Sequence, residues 1–74
     1  MAEQAPAKER ADQPVTRPDM PVPVLAWVTA RQTGDFEAIG EAVGWTRRQV
    51  LVRYTDPHGR VGLAWLWASA VTSR

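Results

Sequence analysis

Four tryptophans and eight arginines are the side chains of this 74-residue sequence best suited to gripping a partner. An indole stacks on a nucleobase, a guanidinium or an extended peptide. Arginine, with its planar fork, favours phosphate, carboxylate and aromatic rings. Arg47 and Arg48 are adjacent, and Arg53 follows within an apolar alternating run. Leu25, Trp27, Thr29 and Arg31 fall on one face of another alternating run, placing an aromatic ring beside a cation. Trp67 closes a third run. On a nucleic acid the arginines would contact phosphates, with an affinity that falls as salt rises, while an exposed indole stacks on a base. The candidate nucleic-acid-binding residues are therefore Arg47, Arg48, Arg53, Arg31, Trp27 and Trp67. The competing explanation is structural: tryptophans fill the core and arginines solvate the surface. A small core cannot enclose Trp27, Trp45, Trp65 and Trp67 together, so one or two are expected to be partly exposed.

Other chemistries find little support. There is no cysteine, hence no disulfide framework and no thiolate metal site, and the single His58 excludes a multi-histidine centre. His58 lies in Asp56-Pro57-His58-Gly59, the composition of a solvent-exposed turn. Glu37, Glu41 and Asp56 have no partner nucleophile, and the five glycines form no phosphate-binding loop. We therefore expect no enzyme, no cofactor and no bound metal. The run Val61–Val71 carries no charge but is short of the roughly 20 residues a membrane-spanning helix needs. No apolar segment follows the first methionine as in a signal peptide, so a cytoplasmic protein without a membrane partner is expected. One Ile, one Lys and no Asn fit a GC-rich bacterial genome.

Charge and composition divide the chain in two. Residues 1–20 contain no aromatic residue and no Leu or Ile, and carry a net charge of −1. Such a segment buries too little apolar area to offset its ordering entropy and reads as a disordered tail. Residues 21–74 carry +2 and hold every aromatic residue. Prolines 14, 18, 21 and 23 make a semi-rigid polyproline spacer at the junction, and Pro18-Asp19-Met20-Pro21 also fits the loose pattern read by aromatic grooves.

The elements that must position these side chains follow mostly a period of two. Strands are predicted at Val22–Gln32, Phe36–Trp45, Gln49–Thr55, Arg60–Trp67 and Val71–Ser73, with a helical turn at Ala68–Ala70. The hairpin through Asp56-Pro57-His58-Gly59 is the clearest of these features. Val24, Val28, Ile39, Val43, Val50, Val52, Leu63, Leu66 and Val71 are the expected core. A winged helix-turn-helix is the alternative. In it Asp35 caps a helix ended by Gly44, and Thr46 caps a recognition helix that carries Arg47, Arg48 and Gln49 into a major groove. The run Val50-Leu51-Val52 with Tyr54 has strand rather than helix propensity, which argues against that alternative.

Ala42-Val43-Gly44-Trp45-Thr46, then Val50 to Asp56, Gly59-Arg60, Trp65-Leu66 and Val71, resemble small actinobacterial proteins with an SH3-like or Tudor-like barrel. The likeness covers Val24 to Arg74. It implies a mainly β, five-stranded SH3-like barrel with a binding role, and carries no catalytic residue onto this chain. Where a proline is expected after the Trp-Leu pair, this chain has Trp67. The functional expectation is a non-enzymatic accessory or regulatory module that binds nucleic acid. An adaptor holding a protein or peptide partner in an aromatic groove or along a strand edge is the alternative from another class, and unpaired edges also allow a homodimer.

Overall fold

The computed structural model describes residues 4–10, 13–30 and 34–74. The protein is mainly β. Strands β1 (Val22–Ala30), β2 (Gly34–Trp45), β3 (Gln49–Thr55), β4 (Val61–Trp67) and β5 (Val71–Ser73) form one antiparallel sheet. Their order is β4-β3-β2-β1-β5, so four strands meander and the fifth returns to β1. A 3-10 turn at Ala68–Ala70 makes that return. This ladder has two edges, β4 and β5.

No α-helix occurs among the described residues, which overturns the winged-helix alternative. Gly40 and Gly44 weaken a helix there, and the β-branched, alternating residues that follow pair well across a sheet. Gln49, which that alternative sends toward DNA, is buried in β3. Among the described residues no helix is long and apolar enough to cross a membrane.

The β3–β4 turn is built by Asp56. Its carboxylate accepts hydrogen bonds from the His58 and Arg60 backbone N–H groups at 2.9 and 2.8 Å, and from Arg60 Nε at 3.1 Å. Gly59 supplies the positive φ, +81°, that closes the turn at little steric cost. His58 is exposed there, as its setting predicts.

Val24, Val28, Val52 and Leu66 are buried as expected, with Val50 and Val71 packed against them. Ile39 and Leu63 are not: they are 62% and 57% exposed. Val43 is half-buried. The inward residues of β2 after Phe36 are small, Ala38, Gly40 and Ala42, while Glu37, Ile39 and Glu41 face out. Leaving one isoleucine in water costs far less than burying two carboxylates, so the glutamates set the phase. On β4 the inward set is Gly62, Ala64 and Leu66, and Leu63 has the opposite parity.

Small inward residues let strands approach. A Cβ on Gly40 would stand 2.6 Å from the Arg53 carbonyl oxygen, and one on Gly62 would stand 2.5 Å from Tyr54 Cζ. Tyr54 thereby lies over Gly62, its cross-strand partner, and packs against Phe36 with ring centroids 6.2 Å apart. Burial raises the pKa of the Tyr54 hydroxyl, and the Asp56 carboxylate adds to that.

β2 changes phase near its end. Between Ala42 and Gly44 the pairing with β3 slips by one residue, a β-bulge. Gly44 then pairs with Leu51 and Trp45 with Val50, so the Trp45 indole packs against the core.

Candidate binding site

The sequence-predicted residues fall in three places. Arg47 and Arg48 occupy the tight β2–β3 turn and are exposed. Among the described residues neither side chain has an ion pair. The Arg48 carbonyl accepts a 2.7 Å hydrogen bond from Ala68 N–H, which ties this turn to the exit of β4 just beyond Trp67. Arg53 points outward from β3 and pairs with Glu41 of β2 at 2.5 Å, so its charge is already answered. Arg31 lies outside the described residues.

Trp27 and Trp67 come together. Trp27 faces outward from β1 and Trp67 ends β4; they are 51% and 41% exposed. They line one pocket of about 210 Å³ with Thr29, Ala70, Gln4 and Ala5. Trp45 and Trp65 are half-buried. Of the four indoles only Trp45 packs against the core; Trp65 is sheltered on the outer face, beneath Arg10.

The last two lining residues belong to the N-terminal segment, whose contacts are not foreseen by reading residues 1–20 as a disordered tail. Ala5 is buried, and its N–H donates to the Trp65 carbonyl at 2.8 Å. The Trp65 N–H in turn donates to Gln4 Oε1 at 3.1 Å. Both backbone groups of Trp65 therefore point away from β3, toward the open edge of β4. By antiparallel alternation the backbone groups of Val61, Leu63 and Trp67 point the same way. Beyond Ala5, Arg10 lies over the Trp65 ring, 4.4 Å from its centroid. Further on, Thr16 exchanges two hydrogen bonds with Trp45, at 2.7 and 2.9 Å, on the edge of β2 that β1 leaves free. The Pro18–Pro21 segment of the expected spacer joins this bridge to β1. Proline lacks the N–H that would continue the ladder.

The sequence reading missed Arg10, and gave Gln49 a role only in the winged-helix alternative. Arg10 lies in a segment whose composition promises only solvated charge. Gln49 opens the strongest strand on its outer face, where a polar residue reads as solvent-facing. Its one sequence signal is position: Leu51 and Trp65 stand beside it on that same face, an unusually apolar neighbourhood for an outward amide.

The Asp56 carboxylate has a lowered pKa. The Arg60 backbone hydrogen bond is the largest cause, opposed by desolvation and reinforced by the bonds from His58 N–H and the Arg60 side chain. It serves the turn and faces no nucleophile. No cluster of metal-ligating side chains occurs among the described residues. Comparison with protein-family models, curated proteins and solved structures gives no match.

Proposed function

We propose that this protein is a non-enzymatic binding module of SH3-like type that holds an extended protein segment across the Trp27–Trp67 groove and the free edge of β4. One observation carries the reading. Gln4 and Ala5 line that groove and hydrogen-bond both backbone groups of Trp65, Ala5 through its main-chain N–H and Gln4 through its side-chain oxygen. A strand added along the same edge would draw its affinity from main-chain bonds and its selectivity from pockets for alternate side chains. The aromatic groove supplies such a pocket.

Nucleic-acid binding through Arg47, Arg48 and Trp67 is the second reading. It is favoured by two exposed arginines that have no ion pair among the described residues, held beside the β4 exit by the Arg48–Ala68 hydrogen bond. It is weakened by the engagement of Arg53 with Glu41.

A two-probe titration separates them. Full-length protein is titrated at low salt with a synthetic peptide of the sequence Gln-Ala-Pro-Ala-Lys-Glu-Arg and, separately, with a short random-sequence duplex, following amide and indole resonances. The expected result is movement of the Trp27 and Trp67 indoles with peptide and none with duplex. Salt-sensitive shifts at Arg47 and Arg48 with duplex alone would overturn the peptide reading in favour of the nucleic-acid one.

A further inference from the structure

Gln49 is 1% exposed and heads the fully buried side chains of this protein by volume, although it sits on the outer face of β3. A buried amide must find partners for both its ends. Gln49 finds them in the N-terminal segment. Its Nε2 donates to the Pro6 carbonyl at 3.2 Å, and its Oε1 accepts from Arg10 Nη1 at 2.8 Å. Arg10 Nη1 also donates to the Ala5 carbonyl at 3.1 Å, and the guanidinium covers the Trp65 indole.

Three different groups therefore surround one guanidinium: an amide oxygen, a main-chain carbonyl and an aromatic face. Among the described residues Arg10 has no carboxylate partner. Both hydrogen bonds leave from Nη1 while the guanidinium lies over the indole, so the site favours arginine through its plane, which stacks on the ring as an ammonium does not. The receptor half of this arrangement, Gln49 and Trp65, is fixed by the β3–β4 ladder, which sets Leu51 opposite Trp65 and Gln49 opposite Trp67.

We propose that Gln49 and Trp65 form an arginine-reading site, filled in cis by Arg10, which accepts in trans a protein segment carrying proline and, four residues later, arginine. The proposal rests on the peptide reading above and names its partner class and its regulation. The N-terminal segment is the site's resident competitor. It acts at the high effective concentration of a tethered ligand, so a partner binds only when it displaces the segment.

The test uses the full-length wild-type chain and full-length Arg10→Ala. Each is titrated with the peptide Gln-Ala-Pro-Ala-Lys-Glu-Arg and with a peptide ending in Ala in place of Arg, and the Trp65 indole is followed by NMR. Arg10→Ala is expected to bind the arginine peptide about tenfold tighter than wild type does, and about tenfold tighter than it binds the alanine peptide. Equal affinity for the two peptides would overturn the arginine site while leaving the peptide reading standing. Failure of both peptides to shift any indole of a well-dispersed Arg10→Ala spectrum would overturn both. Should Arg10→Ala lose its dispersion, Arg10→Lys replaces it. That variant keeps the charge without the fork and is expected to show the same preference for the arginine peptide at a smaller margin. No such preference overturns the site.

Discussion

The two halves of β4 present the same kind of outward side chain in different surroundings. Trp65 is half-buried beneath Arg10, with its backbone engaged by Gln4 and Ala5. Val61 and Leu63, on the same face and the same open edge, are exposed. Strand geometry is common to both halves, so the difference comes from what lies over them. The half beside the groove is covered by a segment distant in sequence, and there even an amide, Gln49, is buried. The half beside the β3–β4 turn meets water. An outward apolar side chain in this protein marks a place where cover is available or wanted, and the alternation of the strand alone does not distinguish the two.

The largest expected effect sets the scale for that comparison. Leu66→Ala, on the inner face of β4, removes a side chain buried in the core and should destabilise the protein by about 3 kcal/mol, read from the urea midpoint at constant m-value. Trp65→Thr, on the covered half, loses indole area and the stacked guanidinium and should cost about 2 kcal/mol in the same experiment. Leu63→Thr, on the open half, should stay within about 0.5 kcal/mol, since little burial is lost and a β-branched residue suits the strand. Equal costs for Trp65→Thr and Leu63→Thr would break the comparison and show that the N-terminal segment shelters nothing.

The smallest effect lies at the turn below the open half. The pKa of Asp56 is depressed below its usual 3.8, first by the Arg60 backbone hydrogen bond, so its ionised form is favoured by folding. That contribution is complete above the unfolded value and is lost as pH falls through the lower folded value. Asp56→Asn should therefore flatten the decline of stability below pH ~4 while leaving the Trp65 indole resonance unmoved. Movement of that resonance would show that the two halves of β4 are coupled.

Much of the sheet could be read from the sequence, because its signals are local. The five strands, the Ala68–Ala70 turn and the Asp56–Arg60 hairpin follow from alternation and turn chemistry within a few residues of each other. The phase of β2 was also readable, but only by weighing Glu37 and Glu41 against Ile39; size alone pointed the wrong way. Leu63 and Leu66, three residues apart, could not share one face of a strand. Trp27 and Trp67 were identifiable as exposed indoles from strand face and strand end, though not as neighbours, since they lie far apart in the chain. The Arg10–Gln49–Trp65 arrangement was illegible. It joins a segment of low hydrophobicity to a strand through one amide, one guanidinium and main-chain atoms, and no periodicity records such contacts.

The bulge between Ala42 and Gly44 gives β2 two opposite grammars of tolerance. Before it, even-numbered positions from Phe36 to Ala42 face the interior and odd-numbered ones accept charge. After it, the odd-numbered Trp45 belongs to the interior and the even-numbered Gly44 lies under Val15 and Thr16. A complete substitution scan of β2 would show its preference for apolar residues reverse parity at Val43. Deleting that single residue would carry one grammar through to the end, turning the Trp45 indole out of the interior and the strand's last pairings out of register.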